Sequence, residues 1–144
     1  MQIIGDKNFP TDNSFKLLFD VIERGEKRIH ASGLQPAAKS FLASVLFQRL
    51  EKTVLFITAT EKEARAAYQD LAFFIDEDQL FLYPPWYACS TDIFAFQKEV
   101  TLSRMEVLCR LFQQRPCVIV APINALLQKT VPRDVLAGYV ETVA

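Results

Sequence analysis

The sequence predicts an α/β fold in which a parallel β-sheet carries helices on both faces. Two continuous apolar runs of strand length, residues 53–58 and 117–121, have the pattern of strands that are buried on both sides. Segments with helical periodicity alternate with these runs along the chain. Because alternating strands and helices form βαβ units with right-handed crossovers, we expect the strands to run parallel.

In the first third of the chain, the sequence predicts two helices separated by a short strand. The first helix is expected to begin at the capping residues 12–14 and to end before Gly25. A strand at residues 28–31 then leads into a glycine-containing loop, and a second helix follows over residues 41–50. This second helix is apolar on nearly every side, so neighbouring elements must cover it.

The middle of the chain contains a clear helix start. Thr60 and Glu63 form a capping box, in which the side chains satisfy backbone amides at the helix end, and they predict a helix that runs to about Ile75. The elements expected next are a strand over 80–83 that stops at Pro84-Pro85, an ordered loop over 86–96 and a long helix over 98–114.

The last part of the chain predicts a short helix over 122–129 and a turn at Pro132. A further run from Gly138 has the pattern of a strand that stops before it is finished, so we expect the sheet to be incomplete at the C-terminus. The predicted organisation is an N-terminal helix and leader at 1–27, an α/β domain at 28–137 and the start of a following domain at 138–144.

The composition is that of a folded chain without a strong charge bias. Of the 144 residues, 51% are apolar and 23% are charged, which excludes a disordered chain. The formal net charge of −1 argues against strong non-specific binding of nucleic acid by this chain alone. The longest apolar stretch, residues 117–127, is too short and too interrupted to cross a bilayer. The start of the chain does not have the pattern of a secretion signal, so the expected location is cytoplasmic, with no membrane partner.

The cysteines and the histidine predict no metal or disulfide chemistry. Cys89, Cys109 and Cys117 are odd in number, widely spaced and set among apolar neighbours, which is typical of reduced structural thiols. His30 is the only histidine, and we expect it to be a core or edge residue of the strand at 28–31 whose ring nitrogens are satisfied by hydrogen bonds.

The sharpest motif is Gly33, four intervening residues and then Ala38-Lys39-Ser40, which approaches the phosphate-binding pattern G-x-x-x-x-G-K-[ST]. It follows a predicted strand and precedes a predicted helix, as a P-loop does. In a working loop, backbone amides surround the phosphates, the lysine reaches the outer phosphates and the hydroxyl holds magnesium. Ala38 adds a Cβ where the chain must approach the phosphate, and Pro36 removes an amide donor. The loop is therefore predicted to be degenerate.

A nucleotide hydrolase also needs an acidic metal ligand at the end of an apolar strand. Neither 53–58 nor 117–121 is followed by a carboxylate, and the acidic run 76–78 follows a helix instead. The sequence therefore predicts a parallel-sheet P-loop/helicase-like scaffold with no catalytic residues, no metal and no cofactor. Two alternatives stay open: weak binding of ATP and magnesium, and half of an ATPase site whose acid comes from another segment.

The segment after the third predicted strand is rich in aromatic residues. Its aromatic side chains either stack on nucleic-acid bases or fold the loop back over the sheet, and the absence of Lys or Arg before Lys98 favours the second interpretation. Arg104 falls inside the apolar arc of the following helix, where it either pairs with Asp92 in a structural role or contacts a phosphate, and the structural role is favoured. The predicted structural or interaction loop consists of Trp86, Asp92, Phe94 and Arg104.

Several segments occur in an order and spacing shared with one family. They are Gly33-Leu34 ahead of Lys39, Asp70–Phe74, Pro85-Trp86 followed by Asp92–Phe94, Ser103-Arg104, and Val118–Gln128 with Pro132-Arg133. Across these segments the chain resembles the N-terminal module of bacterial transcription-repair coupling factors, which is itself similar to the first domain of excinuclease B. The resemblance covers about residues 28–144.

The resemblance implies a multi-domain, ATP-driven DNA translocase that removes stalled RNA polymerase and recruits excinuclease A to the lesion. Its motor would lie outside this chain, and the contact with excinuclease A would lie mainly on the adjoining domain. The family's N-terminal module has lost nucleotide binding, in agreement with Pro36 and Ala38, although Lys39 and Ser40 survive where the family often has a less complete loop. The segment 84–98 is too short for the DNA-clamping hairpin of excinuclease B.

Overall fold

The computed structural model describes residues 13–87 and 93–140, and the chain divides into two compact units, Met1–Leu34 and Gln35–Ala144. The first unit contains helix α1 (Asn13–Glu23). This helix ends in a turn where Gly25 adopts a positive φ of 81° and donates its N–H to Ile22 O at 2.9 Å. The predicted first helix, with its end before Gly25, is confirmed.

The strand predicted at residues 28–31 is not formed, and this prediction was wrong. The backbone of these residues is irregular, and all four of their side chains are exposed. A strand needs a hydrogen-bonded neighbour, and no strand in the described part of the chain pairs with this segment. His30 is exposed and lies in no strand, so the expected core or edge position within a strand was also wrong.

Helix α2 (Pro36–Leu50) begins the second unit and starts five residues before the predicted position at 41. Gln35 is extended and Pro36 occupies the first turn, where its fixed φ suits a helix and its missing N–H costs no bond. The alanines that follow are strong helix formers. The segment interpreted as a phosphate loop is therefore largely the first turn of a helix.

Within the described ranges, the sheet consists of three parallel strands, β1 (Val54–Thr58), β2 (Leu80–Leu82) and β3 (Val118–Pro122), in the order β1-β3-β2. Val118 of the central strand lies opposite both Val54 and Leu80. Helix α3 (Glu61–Leu71) connects β1 to β2, and helix α4 (Ile93–Phe112) leads back from β2 to β3. The connection from β1 to β2 leads from one edge strand to the other, and the connection from β2 to β3 leads back to the central strand. Because both connections are expected to be right-handed and they run in opposite directions, α3 and α4 lie on opposite faces of the sheet.

The alternation of side chains along β3 divides the core into two layers. Val118 and Val120 pack with residues of α2 and α3, among them Phe47 and Leu71. The residues of opposite parity, such as Ile119, pack with α4 and with the segment after β3. All five residues of β3 are buried, as the continuous apolar run predicted. The predicted α/β class with a parallel sheet and helices on both faces is confirmed.

Two helix boundaries differ from the predicted ones. Helix α3 begins at the predicted capping box but ends at Leu71 rather than Ile75, and tight turns carry the chain onward to a buried Ile75. Helix α4 begins at Ile93 rather than 98, so the loop predicted over 86–96 is wrong from residue 93 onward, and its residues 88–92 lie outside the described ranges. Aromatic content suggested a loop there, but the segment 93–97 contains no Gly or Pro that would stop a helix.

After β3, the chain forms two short helices, α5 (Ile123–Leu126) and α6 (Arg133–Val140). Leu136 is buried and donates its N–H to Pro132 O at 3.0 Å, and α6 contacts α4. The strand predicted from Gly138 is therefore wrong as far as residue 140, because α6 continues through it. Within the described ranges, no helix combines the length and apolarity that a bilayer crossing requires.

Candidate functional site

The carboxyl ends of β1, β2 and β3 meet at one edge of the sheet, where the segments 59–61, 83–87 and 123–130 follow the strands. Open parallel sheets bind their ligands and partners most often at this edge. Two predicted loop residues, Trp86 and Arg104, come together there. We therefore take this edge as the candidate site.

Arg104 is the central side chain of the site. It is 3% exposed although it carries a charge, and it reaches this position from the middle of α4. Its Nη1 donates to Pro84 O at 2.9 Å and its Nη2 donates to Lys129 O at 3.3 Å. The guanidinium carbon lies 4.1 Å from the ring centroid of Tyr83 and 5.2 Å from that of Trp86. One side chain thus connects the segments after β2 and β3 to α4.

The charge of Arg104 is balanced by dipoles and aromatic rings. Burial lowers the pKa of the guanidinium below its ordinary value, and the interaction with Tyr83 opposes this effect. Backbone carbonyls and aromatic faces are suitable partners for a desolvated guanidinium. The predicted ion pair with Asp92 lies outside the described residues. Phe94 belongs to the first turn of α4, and its side chain also lies outside the described part.

Gln128 holds the backbone of Trp86 as a neighbouring strand would. Its side-chain Oε1 accepts from Trp86 N–H at 2.6 Å, and its Nε2 donates to Trp86 O at 3.0 Å. The hydroxyls of Tyr83 and Thr130 lie 3.3 Å apart in a further hydrogen bond between the same segments. These contacts fix the Trp86 backbone and leave 39% of the residue exposed.

A second polar group lies at the start of α3. Glu61 Oε1 accepts two hydrogen bonds from Arg65, from Nε at 3.0 Å and from Nη2 at 2.8 Å. Burial acts to raise the pKa of Glu61, but hydrogen bonds from Tyr87 and Arg65 outweigh it and hold this pKa below its ordinary value. Burial and the bond to Glu61 raise the pKa of the Tyr87 hydroxyl. Tyr87 is thereby attached to the segment after β1, beside the exposed indole of Trp86.

The polar groups directly after β1 serve the helix end. Glu63 N–H donates to Thr60 Oγ1 at 3.2 Å, and the Glu63 carboxylate accepts from Thr60 N–H at 3.4 Å and from Ala59 N–H at 3.1 Å. The predicted capping box is confirmed. Thr58 Oγ1 donates to Thr60 O at 2.8 Å. These bonds occupy the backbone amides of Ala59, Thr60 and Glu63, three of the donors that a phosphate could use at the start of α3.

Three of the four predicted phosphate-loop residues lie inside helix α2. Gly33 lies in the first unit with φ +77°, whereas Ala38, Lys39 and Ser40 lie in α2 of the second. Lys39 N–H donates to Gln35 O at 3.1 Å, which is an ordinary helical bond. Lys39 itself is exposed. Ser40 is 1% exposed, and its hydroxyl donates back to Pro36 O at 3.5 Å.

Among the described residues, the cysteines and the potential metal ligands do not form a cluster. Cys109 and Cys117 are free thiols, and burial raises the pKa of Cys117 above its ordinary value. Across the described ranges, no three His, Cys, Asp or Glu side chains lie together as metal ligands would.

The main feature of this edge is a pair of partly exposed aromatic residues, Trp86 and Tyr87. Hydrogen bonds hold both of them, from Gln128 to the Trp86 backbone and between Glu61 and the Tyr87 hydroxyl. Such a surface suits protein contact, in which Trp and Tyr are favoured residues.

Sequence reasoning missed several residues of this site. Glu61 and Arg65 are spaced i,i+4 on a helix, a signal that could have been found. Gln128 has no local signal, because its hydrogen-bond partner lies 42 residues away in the chain.

Comparison with known proteins agrees with the resemblance given by the sequence segments. The chain is 26% identical over 123 residues to the transcription-repair-coupling factor of Bacillus subtilis (strain 168), which is 85% of this chain and 10% of that protein. The protein of the same name from Staphylococcus aureus (strain USA300) is 24% identical over 128 residues, or 89% of this chain and 11% of that protein.

The chain is similar to transcription-repair-coupling factors. The transcription-repair-coupling factor of Staphylococcus haemolyticus is similar to the same extent, with 24% identity over 84% of this chain. The chain spans about a tenth of the length of the curated coupling factors that it matches. No family model matches the chain. The predicted resemblance to coupling factors is confirmed.

Proposed function

We propose that this chain is a non-catalytic scaffold domain of a transcription-repair coupling factor, acting through protein contacts in transcription-coupled nucleotide excision repair. The start of α2 at Pro36 is the observation that supports the non-catalytic part of this proposal. The amide of Lys39 and the hydroxyl of Ser40 are both used inside that helix. A phosphate cradle needs these groups free, so nucleotide chemistry at this position is disfavoured.

The relatives support the repair role. Their name joins transcription to repair, and this chain matches them along most of its own length. In this proposal the complete protein contacts RNA polymerase and DNA in the cytoplasm, and its ATP-driven motor lies in other domains. Excinuclease A is recruited mainly through the adjoining domain, so its affinity for this chain alone is weak or absent.

The alternative is a nucleotide-binding half-domain of a helicase or of an ATPase like excinuclease B. The survival of Lys39 and Ser40 is the feature that favours it. A titration with ATP and magnesium separates the two, followed by the melting temperature and by the fluorescence of Trp86, the chain's single tryptophan. A site with micromolar affinity at millimolar ATP stabilises the fold by about 4 kcal/mol, whereas the scaffold proposal expects no shift.

The repair role is tested in cells that lack the gene encoding this chain. The expected result is slower removal of ultraviolet lesions from the transcribed strand, with removal from the other strand unchanged. A complete gene should restore the difference between strands. If the two strands are repaired alike with and without the gene, the chain does not serve transcription-coupled repair and the proposal is wrong.

A further inference from the structure

A pocket of about 510 Å³ lies at the edge of the sheet opposite the candidate site, where the strands have their amino ends. Its walls come from the end of α2, from the residue before β2 and from the connection between α4 and β3. Two of the lining residues are arginines, Arg110 in the last turn of α4 and Arg115 in the connection to β3. Two positive side chains at one pocket are typical of a site for an anion.

The guanidinium of Arg110 is stacked but lacks hydrogen-bond partners. Its carbon lies 5.7 Å from the ring centroid of Phe81, and its buried Nε has no hydrogen-bond acceptor among the described residues. Arg104 on the same helix is different, because its Nη groups donate to the carbonyls of Pro84 and Lys129. Buried donors without a partner are rare in folded proteins. The unpaired Nε therefore indicates that an acceptor from elsewhere completes this side chain.

The charges around the pocket favour an anion. Within the described ranges, neither Arg110 nor Arg115 forms an ion pair. One carboxylate, that of the exposed Glu51, shares the pocket with them, so the formal charge of the lining is positive. Arg110 also borders a smaller cavity of about 300 Å³ together with Asp78 and Glu106, and the lining of that cavity has a negative formal charge. Of these two cavities, only the larger one suits a negative ligand.

We propose that the larger pocket binds a phosphorylated small molecule whose phosphate group is held by Arg110 and Arg115. A phosphate dianion has the charge to pair with two guanidinium groups, and its oxygens accept from Nε and Nη together in the bidentate manner that arginine favours. Because Nε lies below the pocket wall, the guanidinium of Arg110 turns toward the ligand on binding, and Nε gains its acceptor. The side-chain amide of Gln79, a half-buried lining residue, is a further donor.

The pocket has room for more than a phosphate group. Its volume lies in the range of small-molecule sites, and Phe47 and Pro116 add apolar surface to its wall. We expect the organic part of the ligand to contact these two residues. Lys39, the lysine of the degenerate phosphate-loop motif, precedes the lining residue Gln48 by about 13 Å along α2. The pocket is therefore distinct from the start of α2, and the proposal does not depend on the function proposed above.

Titration calorimetry of the 144-residue chain with phenyl phosphate tests the proposal. The expected result is saturable binding at one site per chain at millimolar concentration or below. Inorganic phosphate should bind more weakly, because it lacks an organic part to contact Phe47 and Pro116. Phenol, which lacks the phosphate, should show no saturable binding. The proposal is overturned if phenyl phosphate does not bind, or if inorganic phosphate binds as tightly.

Matched variants locate the phosphate group. Arg110→Gln and Arg115→Gln should each weaken the binding of phenyl phosphate about tenfold or more, because each removes a charge-assisted hydrogen bond. Glu51→Gln should tighten it, because the variant removes the negative charge from the pocket. Lys39→Gln is the control and should leave the affinity unchanged. Thermal unfolding checks that each variant is folded, and the exposed positions Arg115 and Glu51 keep the test decisive if Arg110→Gln destabilises the chain.

Three results with the variants would contradict the proposed site. Binding that survives both arginine variants would place the phosphate elsewhere. Binding that is lost in Lys39→Gln would place it at the start of α2. A weaker affinity in Glu51→Gln would mean that this carboxylate assists the ligand, which a phosphate site does not allow.

Discussion

The side-chain amide of Gln128 pairs with the backbone of Trp86 through two hydrogen bonds, Oε1 accepting at 2.6 Å and Nε2 donating at 3.0 Å. A side chain that imitates a strand neighbour fixes the chain direction after β2, where the hydrogen bonding of the sheet has ended. The exposed indole of Trp86 is therefore held on a backbone with little freedom. A rigid backbone at this position favours binding, because the segment loses fewer conformations when a partner binds to Trp86.

Replacement of Gln128 by glutamate should release the Trp86 segment. A carboxylate still accepts from Trp86 N–H, but it has no donor for Trp86 O and repels that carbonyl. We expect a loss of about 0.5–1.5 kcal/mol in the free energy of unfolding, the range of a single hydrogen bond. Urea denaturation measures the loss, and quenching of Trp86 fluorescence by iodide should become faster. Gln113→Glu, at an exposed position on the turn after α4, controls for the added charge and should leave the quenching of Trp86 unchanged.

Arg104→Lys should destabilise the chain although it conserves the charge. Lysine cannot reach Pro84 O and Lys129 O together while stacking on Tyr83, so at least one carbonyl loses its donor. An unsatisfied buried acceptor costs about 1–3 kcal/mol, and we expect a loss of unfolding free energy in this range. Chemical denaturation followed by circular dichroism gives the value. Arg115→Lys, at an exposed position, should be neutral; equal losses in the two variants would contradict the role of Arg104.

Glu61→Gln should remove an acid-sensitive part of the stability. The pKa of Glu61 is lowered in the folded chain, so its contribution is present above the unfolded-state pKa and is lost as the pH falls through the folded-state value. The variant should differ from wild type near neutral pH and match it in acid. Because Arg65 is more than half exposed on its side chain, the difference should stay below about 1 kcal/mol. Melting temperatures between neutral pH and strong acid test this, and a difference that grows in acid would be the opposite of the expectation.

The two described thiols should differ in reactivity. Cys117 is fully buried and burial raises its pKa, whereas Cys109 is partly exposed. In a Cys89→Ser background, an aromatic disulfide reagent should label Cys109 first and Cys117 only as fast as the chain unfolds. Because the folded-state pKa of Cys117 is raised, the stability it supplies is present below the ordinary thiol pKa and falls as the pH rises above it. Rapid labelling of both thiols in folded protein would refute the burial of Cys117.

Much of the fold is visible in the sequence because its signals are local. The apolar run of β3 and the capping box of α3 are contained within a few neighbouring residues, and the structure confirms both. The strand predicted at 28–31 does not form, because a strand depends on a hydrogen-bonded neighbour and none in the described residues pairs with this segment. The contacts of Arg104 depend on segments 20 and 25 residues away, so no local pattern reveals them.

The position of Ala38 provides the sharpest test of how α2 begins. If the segment were a damaged phosphate loop, Ala38→Gly would restore the missing glycine and with it some affinity for ATP and magnesium. In the structure Ala38 lies inside α2, and the amide of Lys39 is already bonded to Gln35 O at 3.1 Å. Glycine should therefore only weaken the helix, by about 0.5–1 kcal/mol, and bring no nucleotide binding. Thermal unfolding of the variant with and without ATP and magnesium distinguishes a damaged phosphate loop from an ordinary helix start. If the nucleotide raised the melting temperature of the variant, the first turn of α2 would have rearranged into a phosphate-binding loop, contrary to this prediction.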